Sequence, residues 1–204
     1  MVTREEVKIK SGATGEIAKV DTHKRLHVDA ITFGRSEQEV ELGNGYNINT
    51  GTFNLTSANK SAGLYFKNNE DDDIVLTVMF YIFGGSNANG DITVDVLRNP
   101  TTGTIIDNAV ACEMAGINRN FGSSFQLKET TLVYKGAEGD TFTNGDKIIS
   151  SILQTPSRTP LAVGDIVLPK GSSIGFDITP PTGNTSMPIQ MAFSFFVDTL
   201  KDID

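Results

Sequence analysis

The chain has 204 residues, with 17 Lys and Arg against 25 Asp and Glu, a net charge of -8 and a pI near 4.8. That acidic balance disfavours a general phosphate-binding surface, so nucleic acid is not an expected partner. Hydrophobic residues make up 38% and charged residues 21%, which is enough apolar content for a core and too little charge for a disordered chain. The single cysteine, Cys112, excludes an internal disulfide, and two histidines are too few for a Cys/His metal cluster.

No apolar run approaches the roughly 20 residues of a membrane helix. The longest covers residues 74–83, and the N-terminus (Met1, Val2, Thr3, Arg4, Glu5, Glu6) does not read as a secretory signal. The expectation is a soluble chain made in a cytoplasm, with no membrane partner.

In chain order, Thr3 and Glu6 offer a capping box, but only Val7 and Ile9 follow to be buried, so the start should fray. Between residues 10 and 33 the apolar side chains (Ile17, Val20, Leu26, Val28, Ile31 and Phe33) are scattered among charges. This segment lacks a core of its own and reads as an extended N-terminal arm over residues 1–33, followed by one domain over 34–204.

From Tyr46 onward, apolar stretches alternate or run short and are bounded by Gly, Asn, Asp or Pro, which predicts strands. They are expected at 46–55, 63–67, 74–83, 91–97, 125–134, 147–153, 165–168, 174–178 and 189–198. The last is the clearest: Ile189, Met191, Phe193, Phe195 and Val197 share one face. Asn89-Gly90 and Asn144-Gly145 mark turns, the first predicted to join 74–83 to 91–97 as a hairpin. With no intervening helix signal, the fold class is all-β: an antiparallel β-sandwich, and in topology a jelly roll.

The run 74–83 breaks the alternation, because Thr77 is its only polar residue. A sandwich strand apolar on both faces needs a second cover. Val75, Met79, Tyr81 and Phe83 are expected to form a face covered by a neighbouring copy or by the arm, which predicts a homo-oligomer.

The stretch Gly12 to Thr32 carries a Gly-rich start followed by Ala18-x-Val20-Asp21-x-x-x-Arg25-Leu26-x-Val28-x-Ala30-x-Thr32. It resembles an N-terminal signature of virion structural proteins of tailed bacteriophages. Gly45-Tyr46, Phe66-Lys67-Asn68, the segment from Leu168 through Pro169-Lys170-Gly171 to Ile174, and the final Phe-rich strand are similar to the same proteins. The resemblance implies a non-enzymatic β-sandwich displayed on a phage particle, as a head decoration protein, head-fibre base or tail-associated component. Its partners would be other virion proteins, such as the major capsid protein or tail and portal components, and trimers are common among such proteins. No catalytic residue or cofactor transfers. The arm does, with Ile17, Val20, Arg25, Leu26 and Val28 as anchoring positions.

Other chemistry is weaker. Gly171-Ser172-Ser173-Ile174-Gly175 matches G-x-S-x-G, but a strand rather than a helix follows and both histidines, His23 and His27, lie upstream. The His23/His27 pair lacks the glutamate of a zinc-protease motif, since Lys24 follows the first. Two sets of oxygens could attract calcium: the run Glu70-Asp71-Asp72-Asp73, and Asp140, Asn144 and Asp146. Neither has the spacing of a calcium loop, and a solvated hairpin tip is the simpler account of the first. Sequons at Asn54, Asn59 and Asn184 read as polar strand and turn residues without a secretion signal. Cys112 reads as a small buried apolar side chain. The functional expectation is a non-enzymatic component of the virion, self-associating, fastened by the arm and decorating the capsid. A carbohydrate- or receptor-binding module on a fibre or tail is the alternative.

Overall fold

Strands, not helices, satisfy nearly all of the alternating apolar pattern. The computed structural model describes residues 35–83, 90–154, 158–161 and 166–199. The chain divides between Gly34 and Arg35, and every described residue belongs to the second unit. Its strands are β1 (Gly45–Leu55), β2 (Ser61–Lys67), β3 (Asp73–Phe83), β4 (Asp91–Arg98), β5 (Met114–Asn118), β6 (Leu132–Lys135), β7 (Asp146–Gln154), β8 (Arg158–Leu161), β9 (Ile166–Leu168), β10 (Ser173–Thr179) and β11 (Met187–Asp198). Two short helices, α1 (Arg35–Glu41) and α2 (Thr104–Asn108), join them.

One sheet has the order β5-β1-β11-β3-β8, with β9 also on β3, and the other has the order β6-β2-β10-β4-β7. All pairings are antiparallel. The two sheets pack face to face as a β-sandwich. Consecutive strands β1 to β4 alternate between sheets, as do β10 and β11.

The expected hairpin between residues 74–83 and 91–97 does not form. β3 is flanked by β11 on one side and by β8 and β9 on the other, so neither of its edges is open to β4, which pairs instead with β10 and β7 in the opposite sheet. An Asn-Gly pair favours a tight turn locally, but it cannot choose the pairing partner. The strand expected at 125–134 is also shorter, with only Leu132–Lys135 joining a sheet.

The core lies between the sheets. Phe66 of β2 packs against Phe193 and Phe195 of β11 with ring centroids 5.4 and 5.2 Å apart, and Phe176, Leu64, Ile48, Ile74 and Leu76 fill the space around them. Tilted ring pairs at this spacing add to the burial of large apolar area. A smaller cluster of Ala62, Tyr65 and Ile105, with Phe142 against it, covers the outer face of the five-stranded sheet.

Two bulges set which faces residues share. In β1, Thr50 and Gly51 together oppose Met191; Gly51 has φ +70, and the Met191 N–H donates to Thr50 Oγ1 at 3.0 Å. In β3, Thr77 is the extra residue, and its hydroxyl donates to the Ser194 carbonyl at 3.1 Å. Val75 stands opposite Phe196, and both are buried. Beyond the bulge, Met79, Tyr81 and Phe83 stand opposite Phe193, Met191 and Ile189, which are core residues. The alternation that grouped these three with Val75 is therefore interrupted at Thr77. The side chains of residues 78–83 lie outside the described residues.

Phe66→Ala or Phe193→Ala should lower stability by about 3–5 kcal/mol, because each opens a cavity at the inter-sheet contact. Equilibrium urea unfolding checks this, with exposed Phe121→Ala as a control near zero.

Candidate interaction surface

The surface with the most unusual exposure is built around α1. Glu39 is 0% exposed although charged. Its Oε1 accepts the Thr199 N–H at 2.9 Å and its Oε2 accepts Asn44 Nδ2 at 2.8 Å. Arg35 adds contacts from Nη2 and Nε to Asp198 Oδ1 at 2.7 and 3.1 Å. These bonds fasten the helix to the end of β11. Gly43 ends the helix at φ +87, where the Asn44 N–H bonds the Glu39 carbonyl and the Gly43 N–H bonds the Val40 carbonyl. Glycine is needed twice over there, because a Cβ would also stand 2.3 Å from Ser123 Oγ.

Asparagines tie the loop after β5 to this turn. Asn118 Nδ2 donates to the Gly43 carbonyl at 2.7 Å and the Phe125 carbonyl at 3.0 Å, and Asn120 Nδ2 donates to the Glu41 carbonyl at 2.9 Å. Asn120 Oδ1 accepts the Gly122 N–H at 3.0 Å. Within residues 125–131 the Phe125 carbonyl, the Lys128 N–H and the Thr130 carbonyl are taken by the side chains of Asn118, Glu70 and Asn69, bonds that compete with ladder pairing. The loop presents Phe121 at 100% exposure and Phe125 at 59% beside exposed Leu42. β5, the last strand of its sheet, continues the surface with exposed Met114 and Ile117. A groove of about 450 Å3 runs between β5 and residues 123–131. The far wall is held by buried Glu70, which accepts the Lys128 N–H at 2.8 Å and the Thr131 hydroxyl at 2.5 Å.

A second cluster lies on the outer face of the five-stranded sheet. Asp95 and Asp177 are directly opposite in register on β4 and β10. Lys147 Nζ lies 2.6 Å from Asp95 Oδ2, the Ser150 hydroxyl donates to Asp95 Oδ1 at 2.7 Å, and Lys60 Nζ lies 2.8 Å from Asp177 Oδ2. Burial pushes the Asp95 carboxyl up, but Lys147 and Ser150 outweigh it, with Lys60 adding to them, and hold it below its ordinary value. Asp177 Oδ1 is buried with no hydrogen-bond partner. Two carboxylates facing each other are tolerated because each has its own ammonium.

The calcium candidates resolve into separate contacts. Asp71 takes both Lys128 at 2.6 Å and Lys170 at 2.9 Å, and those two hydrogen bonds pull its carboxyl down to about 2. Asp140 accepts the Ala137 N–H and Asn108 Nδ2, Asn144 accepts the Thr101 and Thr102 N–H groups, and Asp146 pairs with Arg98. Among the described residues no group of three or more His, Cys, Asp or Glu converges on a metal position. Ser173 of the G-x-S-x-G match donates to the Pro100 carbonyl at 2.8 Å, and Ser172 to that of Pro169 at 2.6 Å. Asn184, in a sequon, is buried and donates to the Leu55 and Ser57 carbonyls. Burial pushes the Cys112 thiol up to about 12. Among the described residues no helix is long and apolar enough to cross a membrane.

The arm positions Ile17, Val20, Arg25, Leu26 and Val28, and both histidines, lie outside the described residues. The Phe121 loop was not anticipated from the sequence. Its signal was available as two phenylalanines set among Asn118, Asn120, Gly122, Ser123 and Ser124, where no period assigns them to a core. Comparison with known proteins gave no significant match to a family model, a curated protein or a solved structure.

Two outcomes follow from the charged contacts. Lys60→Met should cost about 3 kcal/mol in chemical denaturation, since it leaves the Asp177 carboxylate buried and unpaired. Asp71 has a depressed folded-state value, so its pairing stabilises fully above the ordinary 3.8 and fades as pH falls through about 2. NMR titration should place its midpoint near 2, and Lys128→Met should move it upward.

Proposed function

We propose that this chain is a non-enzymatic structural component of a phage virion, self-associating, attached to the particle through residues 1–33, and decorating the capsid. The observation that carries the reading is the Phe121–Phe125 loop beside α1, the helix that directly follows those residues. An extended arm can add backbone hydrogen bonds to a partner, and exposed rings can add apolar burial. Repetition over a particle then multiplies weak contacts.

Two features support self-association. β5 and β7 each end a sheet, and each exposes apolar side chains, Met114 and Ile117 on the first and Ile148 and Ile152 on the second. The strand order also supports the jelly-roll reading: β1-β11-β3-β8 and β2-β10-β4-β7 form two four-stranded halves, with β5 and β6 added at their edges. Viral coat domains are common among jelly rolls, and the resemblance of residues 12–32 to phage virion proteins points the same way.

Deletion of residues 1–33 should abolish decoration of particles while leaving the domain folded; full occupancy without them overturns the anchoring reading. Ile152→Ser, on the exposed edge of β7, should weaken self-association by about tenfold or more, read by multi-angle light scattering across a dilution series. A wild-type chain that is monomeric at all concentrations overturns self-association.

A further inference from the structure

A second groove, of about 460 Å3, opens among the end of β2, the turn between β9 and β10, the chain after β4, and α2. That volume falls within the range of small-molecule sites. One wall is apolar, with Ile106 and Leu132 packed against buried Tyr65. The rest of the lining is polar and includes Lys67, Asn99 and Thr101.

Existing bonds decide what this polar lining can hold. Lys170 is tied to Asp71 at 2.9 Å, and the hydroxyls of Ser172 and Ser173 are given to the Pro169 and Pro100 carbonyls. Asn99 Oδ1 accepts the Ser173 N–H at 3.0 Å, and Thr101 Oγ1 accepts Asn144 Nδ2 at 2.7 Å. What remains is a set of donors. The Lys67 ammonium, the Asn99 side-chain N–H2 and the Thr101 O–H donate to nothing among the described residues. Asn99 is also firmly placed, at φ +51 with its backbone N–H bonded to the Ser173 carbonyl at 2.8 Å.

The Lys67 ammonium beside two further donors favours an acceptor-rich anion, and the Ser172 and Ser173 oxygens keep lone pairs that can accept from its hydroxyls. The apolar wall suits a ligand with a C–H face, which an inorganic anion lacks. We propose that this groove binds an acidic saccharide unit. Its carboxylate meets Lys67, its hydroxyls meet Asn99 and Thr101, and its apolar face lies on Ile106 and Leu132. The site stands apart from the particle-anchoring reading, which uses α1 and the Phe121 loop.

The test is an NMR titration of the full chain with D-glucuronic acid, D-glucose and inorganic phosphate in parallel. Glucuronic acid should shift the signals of residues 67, 99 and 101 saturably, and glucose should bind about tenfold more weakly or worse, as the loss of one charge-assisted bond implies. Lys67→Met should cost a similar factor with an unchanged melting temperature. Thr101→Val, at an exposed position, should cost less and serves as the readout if Lys67→Met does not fold. The proposal is overturned by absence of saturable shifts, by equal binding of glucose, by phosphate displacing glucuronic acid at equal concentration, or by undiminished binding in the variants.

Discussion

The contact of Phe66 with Phe193 and Phe195 is the one on which the rest of the molecule depends. It is the place where the central strand of one sheet meets a neighbour of the central strand in the other, and it sits between residues far apart in the chain. Neither sheet has a complete apolar interior by itself. Each presents a row of side chains that remain wet until the other sheet covers them, so the two layers are stable together or not at all. Most of the strand pairings are likewise between distant segments, which places the formation of this contact late and makes it cooperative.

Once the layers are joined, the outer faces become the variable part of the structure. On the five-stranded sheet the outer face carries a small apolar cluster under α2 and the Asp95–Asp177 row beside it. On the six-stranded sheet it carries the cross-strand bonds of Ser194 to Asn47 and Gln190 to Asn49, and also the buried pair Val75 and Phe196. The candidate surfaces lie on neither inner face. They sit at an edge and at strand ends, where loops held by side-chain-to-backbone bonds are rigid without being buried.

The strands with strict period-two alternation were legible in the sequence. β10 and β11 carry their core residues on one face in alternation, although β10 is buried on both, and their boundaries fall within a residue or two of the expected ones. β5 was missed because Met114-Ala115-Gly116-Ile117-Asn118 is short and is bulged at Gly116, which has φ +81. β8 was missed because it contains Pro160, which argues against a strand and is tolerated here at a sheet edge. The seven-residue α1 is made mostly of good helix formers, but it is too short and too poor in apolar residues to show a helical period; the buried contacts of Glu39 are what fix it, and these are tertiary. The Asp95–Asp177 pairing and the degree of exposure of Phe121 were illegible for the same reason, although two phenylalanines among polar residues were a signal of the loop itself. Exposure of an aromatic residue and juxtaposition of two distant carboxylates are products of register, and register does not appear in local composition.

The bonds of α1 to the end of β11 also have a mechanical meaning. Arg35 with Asp198, and Glu39 with Thr199, bring the beginning and the end of the described body to one corner, where β1 starts beside the finish of β11 at the Gly45–Phe196 pair. Tension applied between those two ends would therefore load the ladder one rung at a time, as in opening a zip, instead of shearing many rungs at once. The short charged clasp ahead of Gly45 is then the first element to bear the strain. The rest of the slab stays unloaded for as long as that clasp holds.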